Sequence, residues 1–251
     1  MSGVPDAPPP LDSALRAKVD AAWETVFTVL AAAKRIRHED TDQQVHALAL
    51  HATVIEQFSA CIRLAEWGEP NPIPILLRSM YEAVVDLDNL LQDGGYLERM
   101  EAANLKQTIN LMKGPELQKE FQHGRKELAE LSARLAQLKG GDKGPLDIWE
   151  RCRDVGRTAE YEGLYRLLSL DAHNNASALA ERHISDGPGG VRVVSIFGPY
   201  EPQRVAMRLD IGLQFLFDSA GMIHGKFGVP APEVKELAAR FDRERAARHA
   251  S

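Results

Sequence analysis

Apolar residues recur every three to four positions through nearly the whole of this chain, and that period most constrains its fold. Leu15, Val19, Ala22, Val26, Val29 and Ala33 hold it to about Arg37; Val45, Leu48, Ala52, Ile55, Phe58 and Ile62 hold it again to Gly68. Such spacing stacks apolar side chains on one face of a helix, whereas a half-buried strand needs strict alternation. Breakers separate the runs: "HEDTD", "GEPNPIP", "DGG" and "KGGDKGP". Asp12 or Ser13 can cap the first helix and Thr41 or Asp42 the second, while Asn71 with Pro72 opens a third. Tyr96 to Leu138 reads as one long helix or as two broken near "KGPE". A short helix passes through Trp149, and a longer one runs from about Thr158 to Ile184. Only "SDGPGGVRVVSIFGPYEP" carries a β-branched run bounded by glycine and proline, which predicts a hairpin or edge ribbon near Val191 to Phe197. Pro202 to about His224 is apolar nearly all round and belongs in the core. A last amphipathic helix gathers Val234, Leu237, Ala238 and Phe241 on one side.

The expected fold class is therefore all-α, a single bundle-like domain with a small β excursion near residues 191–197. Residues 1–10, rich in proline, read as a disordered leader, 11–228 as the helical domain and 229–251 as the C-terminal amphipathic helix. A chain of 251 residues with 44% apolar content can bury a substantial core. Its net charge of -6 argues against general DNA binding, which takes a surplus of lysine and arginine, so any RNA contact is local. Cys61 and Cys152 make neither a metal spacing nor a disulfide framework, and "MSGVPDAPPPLD" lacks the features of a signal peptide. Cytoplasmic localisation is expected. So is the absence of a membrane span, because even "IGLQFLFDSAGMI" is short and contains Gln214 and Asp218.

Two polar stripes carry the chemistry. On one helix Arg166 and His173 lie about 20° apart around the axis and roughly 10 Å apart along it, with Ser177 on the same stripe. Tyr161, Leu164, Leu168, Ala172 and Leu179 gather opposite, toward the core. On the third helix Leu76, Leu77, Met80, Val84, Leu87 and Leu91 define the buried side, leaving Arg78, Glu82 and Asn89 off it. Two readings fit each stripe. One is a solvated face, with Arg78 and Glu82 as an i,i+4 ion pair. In the other, Ile75 and Val85 help to bury a second surface where Glu82 or Arg78 meets His173 or Arg166, and a carboxylate beside the histidine would suit it to acid–base work.

The helix "LLRSMYEAVVDLDNLL" and the later "YRLLSLDAHNNASAL" resemble an uncharacterised bacterial all-helical family with an R-S-x-x-E helix and an S-x-x-x-H helix. These positions are Arg78, Ser79, Glu82, Ser169 and His173 here, and the likeness spans roughly Ala47 to Gly228. More distantly, the chain resembles the HEPN (higher eukaryotes and prokaryotes nucleotide-binding) helical bundles. Many of these are metal-independent ribonucleases with four to six residues between an arginine and a histidine on one helix, and "RLLSLDAH" has six. Leu167 stands where those enzymes usually carry a polar residue. The resemblance implies that Arg166 stabilises a pentavalent phosphorane and His173 acts as acid or base while the RNA's 2′-hydroxyl attacks. It also implies a homodimer, with paired helices forming one cleft beside Leu170 and Ala180.

No His-Glu-x-x-His run sets metal ligands on one helix face, so neither a metal nor a cofactor is expected, although a site assembled from several helices stays open. "GPGG" and "KGGDKGP" are not phosphate loops. The resemblance thus implies an RNA-cleaving or nucleotide-binding protein working through Arg78, Glu82, Arg166 and His173, with Ser169, Asn174 and Ser177 as ligand contacts. The alternative is a non-enzymatic helical module that binds a small ligand or protein partner in the same polar groove.

Overall fold

The computed structural model describes residues 11–114, 124–172, 176–186, 192–194 and 201–249. Its helices are α1 (Ser13–Ala33), α2 (Asp42–Glu66), α3 (Ile73–Gln92), α4 (Tyr96–Met112), α5 (Gly124–Gly140), α6 (Ile148–Asp154), α7 (Thr158–Glu160), a π-helical turn (Tyr161–Tyr165), α8 (Arg166–Ala172), α9 (Ala176–His183), α10 (Pro202–Lys226) and α11 (Pro232–His249). Strands β1 (Ile184–Asp186) and β2 (Arg192–Val194) pair antiparallel, Ile184 opposite Val194. The fold is all-α with a small β excursion.

Local chemistry sets several boundaries. The Asp12 carboxylate accepts from the Leu15 amide at 2.8 Å, and the Thr41 hydroxyl accepts from Gln44. Asp147 and Glu150 close a reciprocal capping box that starts α6. The expected third helix begins slightly late, at Ile73, after the Asn71–Pro72 turn. Between Tyr96 and Gly140 the described residues form α4 and α5, and the expected break near "KGPE" falls largely on residues 115–123, outside them. The segment expected as one helix from Thr158 to Ile184 departs further. It contains the π turn, and its stretch over residues 173–175, between α8 and α9, lies outside the described residues. By length and composition alone helix α2 could span a bilayer, a test that the core helix of a soluble protein also meets. It packs on α1 and α10 and buries Val54, Phe58 and Ile62.

The chain clusters into two compact units, Met1–Leu87 with Ala159–Ser251, and Asp88–Thr158. In the first, α10 packs against α1 and α2, and α11 covers α1 and α10. Leu15, Val19, Leu77, Met80, Leu209 and Leu216 are buried in it. Tyr81, also buried, lies 5.6 Å from the ring of Phe215 and 5.7 Å from that of Tyr165, which ties the π turn to the core. Gly212 lets α10 approach closely: a Cβ there would stand 2.5 Å from Phe58.

In the second unit α4 and α5 pack through Ala102, Leu105 and Leu138, and Arg134 grips Glu101 with two bonds, 2.7 and 2.8 Å long. Asn89, expected on the polar stripe of α3, is buried instead. Its amide donates to the Arg151 carbonyl at 3.0 Å, so the side chain satisfies a backbone acceptor rather than facing a site.

Candidate functional site

The site is built on the outer stripe of α3. Arg78 and Glu82 are one turn apart, and both are about one-third exposed, at 30% and 33%. The Arg78 Nε–H is shared between Glu82 Oε1 at 3.3 Å and the Tyr165 hydroxyl at 3.1 Å. Tyr165 donates its own proton to Glu82 Oε1 at 2.9 Å. One phenol thus closes a three-membered ring of hydrogen bonds between α3 and the π turn. Burial raises the Tyr165 pKa, and the charge of Glu82 raises it further, so the phenol keeps its proton at neutral pH. Burial acts against the Arg78 cation, but Tyr165 and Glu82 more than offset it and leave the arginine's pKa raised.

Among the described residues only Nε of Arg78 is engaged. Neither terminal amino group bonds to a protein group among the described residues. A guanidinium anchored at Nε presents those two groups as a fixed fork, the geometry that matches two oxygens of a phosphate or carboxylate. On the other side of the stripe Gln57 of α2 donates to the Ser79 hydroxyl at 2.8 Å. Gln57 Oε1 and Ser169 Oγ are both shielded from solvent and bond to no protein group among the described residues.

Arg166 joins this cluster through rings rather than through a carboxylate of α3. Its side chain is 60% exposed and bonds Glu162 at 2.8 Å. Its guanidinium lies 5.7 Å from the centroid of Tyr161, which stacks on Tyr165 at 5.3 Å and 18°. The Arg78 guanidinium lies 5.1 Å from Tyr165. Arg78, Tyr165, Tyr161 and Arg166 therefore form one interleaved cation–aromatic ladder.

Of the residues read from sequence, Arg78 and Glu82 come together, Arg166 stands at the far end of the ladder, and Ser169 lies one turn beyond Tyr165. His173 and Asn174 lie outside the described residues, as does the side chain of Ser177. Val85 is buried as expected, but Ile75 is 48% exposed, so one border of the stripe is open. The wheel also needs correction on the later helix: Leu168 is buried, Tyr161 and Leu164 are half-buried, and Leu179 is exposed. The π turn shifts the phase that a constant 100° assumes. Tyr165 was missed altogether, although the Tyr161–Tyr165 pair beside Arg166 is a visible i,i+4 signal. Among the described residues no three His, Cys, Asp or Glu side chains converge to hold a metal.

A family model described as a family of unknown function, DUF5677, matches residues 44–191, which hold the whole ladder together with Ser79, Glu82, Ser169 and His173. The match ends earlier than the resemblance to Gly228 read from the motifs. No curated protein and no solved structure matches the chain. With the model covering more than half of the sequence and both of its motif helices, the chain belongs to the DUF5677 family.

Proposed function

We propose that the chain binds a phosphate-bearing ligand, single-stranded RNA or a nucleotide, along the Arg78–Tyr165–Tyr161–Arg166 ladder. The observation that carries this reading is the state of Arg78: its Nε is tied to Tyr165 and Glu82 while both terminal amino groups have no protein partner among the described residues. Interleaved arginines and aromatic rings suit such a ligand, because phosphates pair with the guanidinium forks and bases stack on rings or guanidinium planes. Two local arginines also reconcile phosphate binding with a net charge of -6.

Cleavage forms the catalytic half of the proposal. The RNA's 2′-hydroxyl attacks the adjacent phosphorus, the 5′-oxygen leaves, Arg166 stabilises the phosphorane and His173 moves the proton, in a homodimer. The non-enzymatic reading draws on a different observation, the unpartnered Gln57 Oε1 and Ser169 Oγ, which suit a small polar ligand. Fluorescence anisotropy with a labelled single-stranded oligoribonucleotide in chelator separates the two, with light scattering for the dimer. Binding is expected to weaken with salt at a slope of about -1.4, for two phosphates at about -0.7 each. It should fall at least tenfold in Arg78→Ala, and product release should need His173. If neither RNA nor nucleotides bind, or if Arg78→Ala and Arg166→Ala bind as the parent does, the ladder reading fails.

A further inference from the structure

The outer flank of α1 carries a stripe that the proposed function does not use. Leu15, Val19, Ala22, Val26 and Val29 turn inward and are buried. Beside them Asp20, Trp23, Phe27, Leu30 and Lys34 follow one another at alternating intervals of three and four residues, the spacing of a coiled-coil seam. Phe27 is 62% exposed and Leu30 38%. Lys34 is the C-cap residue of α1 and keeps helical backbone angles, so the stripe reaches it. The patch is held in place: the rings of Trp23 and Phe27 stack at 5.6 Å and 18°, and the Arg63 guanidinium of α2 lies 5.8 Å from the Trp23 ring. Asp20 and Lys34 are both exposed, and neither side chain has a partner among the described residues.

An apolar seam flanked by one acid and one base at equal distances from its centre is complementary to itself. Asp20 lies two turns before Phe27 and Lys34 two turns after it, about 10 Å to either side along the axis. We propose that α1 pairs antiparallel with α1 of a second copy, about a twofold axis at Phe27, to form a homodimer. That axis sets Phe27 on Phe27, Trp23 beside Leu30 of the second copy, and Asp20 level with Lys34 of the second copy, the last two contacts each made twice by symmetry. A parallel pairing would instead set Asp20 against Asp20 and Lys34 against Lys34, and like charges reject it. The apolar side chains supply the affinity and the two ion pairs the orientation, since solvated ion pairs add little by themselves. Stacking already restrains Trp23 and Phe27 in the single chain, so little side-chain freedom is lost on association. The inference goes beyond the ladder reading, because no residue of α1 belongs to the ladder.

The test is sedimentation velocity of the full chain over a range of concentrations, where a dimer should form as concentration rises. Phe27→Glu should sediment as a monomer, and Asp20→Lys should weaken the dimer about tenfold or more. Asp20→Lys/Lys34→Asp exchanges the two charges and should restore it. All three side chains are exposed, so the folded chain tolerates these changes, and circular dichroism checks that it does. A monomer at every concentration, a dimer that survives Phe27→Glu, or a double exchange no better than Asp20→Lys would overturn the inference. So would a monomer that floats with phosphatidylcholine–phosphatidylserine vesicles and leaves them in Phe27→Glu, which would assign the patch to a membrane surface. Arg78→Ala should leave the dimer intact, so a failure of the ladder and a failure of this surface are told apart.

Discussion

Gly212→Ala should destabilise the protein even though alanine is the better helix former. On α10 the added Cβ would fall 2.5 Å from both Cδ2 and Cε2 of Phe58 and 3.2 Å from Cδ2 of Leu77. Carbon atoms rest at about 3.5 to 4.0 Å, so the Phe58 ring or the helix must move by roughly 1 Å. Phe58 and Leu77 are both fully buried, with 0% exposure, and lack open space to retreat into. Overpacking of this kind costs about 1 to 3 kcal/mol, against a gain of about 1 kcal/mol from replacing glycine inside a helix. The net loss is up to about 2 kcal/mol, or up to roughly 8 °C in Tm for a chain of this size. Gly221 of the same helix is the control. No atom lies within 4 Å of its Cβ position, so Gly221→Ala should gain about 0.4 to 1 kcal/mol. Thermal and urea unfolding of the two variants side by side decides the matter. If Gly212→Ala is as stable as Gly221→Ala, the close approach of α10 to α2 and α3 is not a fixed constraint and the reasoning fails.

Burial raises the Cys61 thiol from 9.0 to about 12, so in native protein at pH 8 it should ignore a thiol reagent that labels it at once in denaturant. The folded state keeps this proton where the unfolded state releases it; the stability it contributes is intact below pH 9 and is lost toward pH 12, at about 1.4 kcal/mol per unit. Urea titrations at pH 8 and 10 should show that loss in the parent and not in Cys61→Ala. Tyr165→Phe should lower stability by no more than about 1 kcal/mol, since the ring stays and the hydroxyl site is partly exposed, yet weaken RNA binding by freeing Arg78 to swing; unchanged anisotropy would remove the anchoring role. Arg157→Met should destabilise the Asp88–Thr158 unit by about 1 to 3 kcal/mol, because Asp88, 17% exposed, would lose its 2.9 Å partner. Hydrogen exchange confined to that unit is the readout.

How much of this was legible beforehand depends on the range of the forces involved. The caps at Asp12 and Thr41 act over three residues, and a helix wheel needs only 3.6-residue periodicity, so element type and most boundaries follow from short sequence windows. The pair Arg78 and Glu82 was legible for the same reason, being one turn apart on one helix. Tyr165 was not: it lies 87 residues from Arg78 and 83 from Glu82, and the π turn that aims it breaks the constant phase on which a wheel rests. Packing of another helix likewise reversed the reading of Asn89, polar and off the apolar stripe yet buried against the α6 backbone. His46 and His51 look alike in sequence, but His46 stays exposed while His51 is enclosed and bonded to Ser219, 168 residues away. Period and capping determine which segments are helices because those interactions close within a turn or two. Which polar side chains become a site is decided only when helices distant in sequence choose the faces they bury, since desolvation and hydrogen-bond partners are properties of that contact and not of either segment alone.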